Sequence, residues 1–165
     1  MKTTLNFILN GAEVIRYHTN TTLMRETVGH HSHGVACLVL LFDPDASREL
    51  LVAALFHDLS EQKTGDIPSP AKRIYGIGEQ VSSLERELMF DAGIGFPNLS
   101  SAEARILKLA DIAHGALFCV REMSLGNSRM RAIYGTYMTY AHQMNLVDRE
   151  NVVFNMIEEM ANERE

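Results

Sequence analysis

Residues 57–70 read HDLSEQKTGDIPSP, and this stretch decides how the chain is read. A His-Asp doublet opens it, Glu61 and Asp66 follow, and Pro68 and Pro70 close it. The segment before it, RELLVAALF at 48–56, is apolar at helical spacing. An apolar helix thus runs into a group of metal-ligating and acid–base side chains. Prolines then forbid the helix to continue. Such a junction needs partners from elsewhere in the chain.

Working outward, helical periodicity dominates. Residues 4–17 place Leu5, Ile8, Leu9, Ala12 and Ile15 on one face, with Gly11 as a weak point. Residues 18–29 are polar and Thr-rich and read as a loop. A helix is expected from about His30 to Phe42, with Val35, Leu38, Val39 and Phe42 inward. Another follows, capped by Asp45 or Ser47, with Leu50, Leu51, Ala54 and Leu55 inward. Residues 62–77 form the longest candidate loop. Glu79–Ala92 is a helix with Val81, Leu84, Leu88 and Met89 inward. Ser100 or Ser101 before Glu103 resembles a capping box for a long helix to about Leu125. Residues 129–145 and 148–163 supply two more. No strand alternation is present. The expected fold is all-α, a single domain over 1–165 of six to seven helices.

Composition narrows the function. The 165 residues suffice for one packed core, with 46% hydrophobic and 22% charged residues. A net charge of −6 without a dense basic cluster argues against a nucleic acid polymer as partner, while a small anion held by one or two cations remains compatible. No run approaches the ~18 apolar residues of a membrane span. MKTTLNFILNGAEV lacks a long apolar signal region, so the expected compartment is the cytoplasm, or the host cytoplasm for a phage-encoded chain. Cys37 and Cys119 lie in apolar helical segments and are expected to be buried free thiols. Val152, Val153, Met156, Ile157 and Met160 give the last helix a broad apolar face, from which a homo-oligomer is expected.

Four residues can be assembled into one site: His31, His57, Asp58 and Asp111. His31 starts the stripe that continues through Val35 and Leu38. Asp111 sits in ARILKLADIAHGALF, with Ala113 and Gly115 permitting close helix approach. A carboxylate on such a face is costly to bury unless paired or bound to a metal. Two imidazoles and two carboxylates would balance a divalent ion, and mixed N/O ligation suits Mn, Fe, Co, Ni or Zn. Taken singly each feature has an ordinary explanation. A lone His is usually a core or surface histidine, and Asp111 has Lys108 as a pairing partner three residues earlier. Order and context raise the signal.

On these residues the chain resembles HD-domain metal-dependent phosphohydrolases, in the branch of the YfbR-like 5′-deoxynucleotidases. Arg16-Tyr17 matches an Arg-aromatic pair, and His31 follows Arg16 by fifteen residues in VGHHSHGVA. HDLSEQKTGDIPSPAK (57–72) matches HDxSExxxGDxPxPxK, and LKLADIAH (107–114) carries the last Asp. His30 stands where the family usually has Glu, and His33 is rotated by about 200° from His31 on the helix. RYHT (16–19) and the TVG-H-HS-x-GVA segment resemble the phage-type dATP triphosphohydrolases of the same branch more closely.

The resemblance implies a metal held by His31, His57, Asp58 and Asp111. It implies phosphate binding by Arg16 and Lys72, and acid–base work or a second ion such as Mg at Glu61 and Asp66. Asp66 is also implied to contact the sugar 3′-OH. Tyr17 is placed against sugar or base, where the 5′-deoxynucleotidases carry Trp. Thr19, Ile67 and Ile74 are further candidates for the base pocket. His114, three residues after Asp111, is a candidate to lie behind the ligands. The implied substrate is a small-molecule deoxynucleotide. A dATP-preferring triphosphohydrolase is expected first, attacking the α-phosphorus with activated water. A 5′-monophosphatase is the alternative, and a non-catalytic HD-fold binding module the alternative of another class.

Overall fold

The helix that organises the molecule begins at a reciprocal cap. Ser100 Oγ accepts from the backbone N–H of Glu103 at 3.3 Å, and Glu103 returns a carboxylate oxygen to the Ser100 N–H at 2.9 Å. The same Glu103 accepts from the hydroxyl of Ser47, which caps the helix that leads to the His-Asp doublet. Two helix starts are thereby tied together before either reaches the site.

A computed structural model describes residues 1–163; the last two positions of the expected domain lie outside the described residues. The order is α1 (Lys2–Ala12), α2 (Val28–Phe42), α3 (Arg48–Phe56), α4 (Glu61–Thr64), α5 (Ser69–Ile74), α6 (Gly78–Asp91), α7 (Ser101–Ser124), a 3-10 turn (Ser128–Met130), α8 (Arg131–Gln143) and α9 (Asp148–Asn162). The seven longer helices are those expected; α4 and α5 are short helices inside the segment read as a loop. Among the described residues the β pairing is one isolated bridge, Ile15 to Thr27. No helix among them is long and apolar enough to cross a membrane.

The main core lies where α2, α3, α8 and α9 surround α7, with Val35, Val39, Leu50, Leu109, Ala113, Ala116 and Phe154 fully buried. A second cluster packs α1 and α6 around Leu59, through Phe7, Met89, Ala92 and Ile94. A third joins Phe118, Cys119 and Met130 to Tyr17 and Tyr137.

Several local expectations are corrected. The first helix ends at Ala12, not near residue 17, so Arg16 and Tyr17 stand on the segment after it. Its inward face is Phe7 and Gly11, while Leu5, Leu9 and Ile15 are exposed. Gly11 is a close-approach site: a Cβ there would come within 2.5 Å of Leu59 Cδ1 and 2.7 Å of the Leu59 carbonyl oxygen. Leu55 and Leu84 are exposed, and so is Cys37. On α9 Val153 and Ile157 are buried, whereas Val152, Met156 and Met160 are exposed.

Candidate metal centre

α3 stops at Phe56, and His57 closes it in helical conformation. Residues 57–60 form a turn, and Glu61 begins a separate short helix with its N–H on the Asp58 carbonyl at 3.0 Å. The doublet is therefore carried on a helix end, not on a helix running on to Glu61. The break lets His57 and Asp58 turn toward α2 and α7, which bring His31 and Asp111.

Three donor atoms converge, those of His31, His57 and Asp58, and Asp111 joins them through His31. His31 Nε2 lies 3.2 Å from His57 Nε2, 3.6 Å from Asp58 Oδ2 and 3.2 Å from Asp111 Oδ1. His57 Nε2 lies 3.3 Å from Asp58 Oδ2. Zinc–ligand bonds near 2.1 Å imply tetrahedral edges of about 3.4 Å, a spacing that His31, His57 and Asp58 fit, while Asp111 meets the group through His31 and would have to shift to share the ion. The tautomers fit as well. His57 Nδ1 donates to the Ala54 carbonyl at 2.9 Å, which leaves its Nε2 bare. The second ring nitrogen of His31 lies 3.1 Å from His114 Nδ1.

The electrostatics separate two kinds of acid. Burial would raise the Asp111 carboxyl, but Lys108 first, at 2.7 Å, and then the imidazoles hold it well below its ordinary value. Asp58 is treated alike: burial opposes ionisation, and His57, Arg16 and His31 together lower it. His31 is fully buried; burial and then Arg16 push it down to about 4, so it is a neutral imidazole near neutral pH. Two ionised carboxylates and a neutral His31 imidazole are protonation states that suit a divalent first-row ion.

Glu61 behaves oppositely. It is buried, its Oε2 lacks a hydrogen-bond partner, and burial followed by Asp58 and Asp66 raises it to about 9. It is therefore protonated at neutral pH. Lys72 is close enough to oppose that shift, though its ammonium pairs with Glu85 of α6 at 3.4 Å.

Arg16 reaches the centre from the segment after α1. Its Nη1 donates to Asp58 Oδ2, and its Nε lies 3.3 Å from Glu26. Burial would lower its pKa, but Asp58 and Asp111 reverse that, so the guanidinium is firmly charged. Tyr17 follows at φ 57°, a left-handed conformation that costs a non-glycine residue about 1–3 kcal/mol. Three contacts hold it there. Its N–H donates to Asp66 at 3.2 Å, its ring stacks on Phe118 at 4.7 Å, and its hydroxyl meets that of Tyr137 at 2.9 Å. Its ring thus belongs to the Phe118 cluster. Thr19 and Ile74 are exposed.

Two further carboxylates had no signature in the sequence. Glu26 lies between Arg16 and His114, at 3.3 and 3.6 Å, and burial raises it to about 7 against the pull of Arg16. Glu122 is fully buried on α7. It accepts from the N–H groups of Leu23 (2.8 Å) and Met24 (2.6 Å) and from the Asn127 amide (2.7 Å). It fastens the loop that begins with Arg16-Tyr17 and ends at Glu26. His33 and His142 lie away from the centre, His33 beside Cys37 and His142 on Glu158.

The chain is similar to several known proteins. A 5′-deoxynucleotidase of Vibrio vulnificus is 33% identical over 96 residues, covering 49% of this chain and 50% of the relative. One of Klebsiella pneumoniae is 30% identical over 97 residues, covering 50% and 49%. The chain thus spans about half the length of the curated relatives it matches. Among solved structures, a cyanophage S-2L HD phosphohydrolase (DatZ), bound to dA and one catalytic zinc ion, is similar with a TM-score of 0.71 at 19% identity, over 96% of both chains. A Pyrococcus horikoshii protein is similar with a TM-score of 0.73 at 18% identity, over 98% of both. At these identities the two structures speak to the fold alone. Residues 13–112 match the HD domain family, and they contain Arg16, His31, the doublet at 57–58 and Asp111. The chain belongs to the HD-domain family.

Proposed function

We propose that the chain is a metal-dependent phosphohydrolase of deoxynucleotides, and that it is a triphosphohydrolase preferring dATP. The observation that carries the reading is the cluster of His31, His57 and Asp58, with Asp111 against His31 and Arg16 on Asp58. The deoxynucleotide class is supported by the names of the curated relatives and by the dA bound to the cyanophage protein. The triphosphate preference is supported by the RYHT and HHSHGVA segments, which resemble phage-type enzymes. The 5′-monophosphatase reading keeps a place because both curated relatives are named 5′-deoxynucleotidases.

His31, His57, Asp58 and Asp111 would hold the cation; Co, Mn, Zn, Fe and Ni all suit the donors. When bound, it supplies Lewis-acid polarisation of a phosphoryl group and acidifies water. The chain supplies the rest. Arg16 is charged, desolvated and oriented by Asp58, so its planar fork meets phosphoryl oxygens with little rearrangement. Lys72, on α5, offers a point charge farther out once it leaves Glu85. Water adds to phosphorus, the bond to the 5′ oxygen breaks, and that oxygen takes a proton. Glu61 starts protonated, which suits it to give a proton rather than take one. A second cation such as Mg beside Glu61 and Asp66 would ionise Glu61 and turn the pair into ligands.

The deciding experiment incubates the chain with dNMPs, dNDPs and dNTPs in Co²⁺, Mn²⁺, Zn²⁺ or Mg²⁺ and separates products by chromatography. Deoxyadenosine and intact triphosphate from dATP are expected. Cleavage of dNMPs alone would move the assignment to the monophosphatase. Inertness across the panel would leave a non-catalytic HD-fold module.

A further inference from the structure

His31 is fully buried and uses both ring nitrogens. Its Nε2 faces His57, Asp58 and Asp111, and its Nδ1 lies 3.1 Å from His114 Nδ1. Two nitrogens at that distance share a single proton. If His31 owns it, the His31 Nε2 is bare and its lone pair faces His57, Asp58 and Asp111. If His114 owns it, a neutral His31 must carry its proton on Nε2. That alternative is attractive locally, because Asp111 Oδ1 lies 3.2 Å away and would accept the proton. It also blocks Nε2 as a ligand. Something must outbid Asp111 for the His31 proton.

We propose that His114 is the positioning residue for His31: its bare Nδ1 accepts the His31 Nδ1–H and so fixes the tautomer whose Nε2 can bind the metal. The inference rests on the metal-centre reading above. His114 is held for this task by packing. An added Cβ at Gly34 would stand 2.0 Å from His114 Cδ2 and 2.1 Å from its Nε2, so the ring lies directly against the bare glycine. The two imidazoles meet edge to face, with centroids 4.9 Å apart at 77°. The pairing is reciprocal along two helices. α2 supplies the ligand His31 and, three residues on, the glycine that seats His114. α7 supplies the ligand Asp111 and, three residues on, His114 itself. Glu26 Oε1, 3.6 Å from His114 Nδ1, is beyond hydrogen-bond range and leaves that lone pair to His31. His57 receives the same service from the Ala54 carbonyl. The two histidine ligands thus have separate orienting acceptors.

A competing use of the same atoms is a second ion among Glu26, His31 and His114, whose donors also lie close together. It would strip His31 of its Nδ1 proton.

The test begins with the unaltered chain. Long-range ¹H–¹⁵N spectra of ¹⁵N-histidine protein, with and without one equivalent of Zn²⁺, should show a protonated His31 Nδ1 and a His114 protonated on Nε2. Zn²⁺ competition with a chromophoric chelator should give one ion per chain. His114→Leu should weaken Zn²⁺ affinity by about 10–100-fold, the usual cost of losing an orienting partner. His114→Asn, whose Oδ1 can stand near the lost Nδ1, should recover most of it. A His31 without its Nδ1 proton, or His114→Leu binding as tightly as the unaltered chain, would each overturn the proposal. Absence of Zn²⁺ binding by the unaltered chain would overturn the metal reading with it. Normal binding with an indifferent His114→Leu would overturn this inference alone.

Discussion

The guanidinium of Arg16 donates directly to the carboxylate of Asp58, across 42 residues of sequence. The residue that would face the phosphate is thus attached to a residue that would hold the metal. Its other edge lies against Glu26. Arg16 is fixed in direction before any substrate arrives, which favours stabilising charge that develops during reaction.

Arg16→Ala should lower kcat/KM by about 10²–10³-fold, the scale of a lost preorganised donor. Metal content, read by elemental analysis, should change little. Arg16→Lys should rescue poorly, because one ammonium cannot span Asp58, Glu26 and a phosphate together. Full activity in the Lys variant would show that only charge is needed.

Asp58→Ala and Asp111→Asn should lose metal and turnover together. Each removes one negative donor from a set of four. Titration calorimetry with Co²⁺ or Zn²⁺ checks the first loss and product chromatography the second. A variant that loses metal yet keeps turnover would place the chemistry elsewhere.

Stability without metal should have a defined pH window. Glu61 and Glu26 are raised from 4.5 to about 9 and about 7. Their contribution is complete below the unfolded value and is lost as pH rises through the folded ones. His31 and His114 are lowered from 6.5 to about 4 and about 3, chiefly by burial. Their contribution is complete above pH 6.5 and is lost as pH falls toward those values. Thermal melts in chelator should therefore peak between about pH 4.5 and 6.5.

Glu122→Ala should destabilise the chain by about 3 kcal/mol, since it strands the N–H groups of Leu23 and Met24 and the Asn127 amide. It should also reduce turnover, because the freed loop begins at Arg16 and ends at Glu26. Urea unfolding and steady-state kinetics check the two effects. A stable, fully active variant would make the anchor dispensable.

The proposed metal-ligating set could be assembled from the sequence because each member stands in a local frame. His31 starts an apolar stripe, the doublet ends one, and Asp111 interrupts another. Glu26 and Glu122 have no such frame. Glu122 acts on Leu23, 99 residues away, and no spacing rule spans that distance. The first helix was misread for a different reason. Leu5 and Leu9 repeat with the same period as Phe7 and Gly11, so two faces carried apolar residues. The buried one was chosen by the fit of Gly11 against Leu59. Whether the helix continued to Glu61 was open in the sequence; it ends at Phe56, and residues 57–60 turn although no proline or glycine stands among them.

The bridge between Ile15 and Thr27 closes the neck of the loop that carries Arg16, Tyr17 and Glu26, with Arg16 N–H on the Glu26 carbonyl at 3.0 Å and Val28 N–H on that of Val14 at 2.9 Å. A loop sealed at its base is a cassette. It can be exchanged with that of a relative while the helices bearing the candidate ligands stay as they are. Chimaeras cut at this neck would trade one anion grip for another on an unchanged chassis.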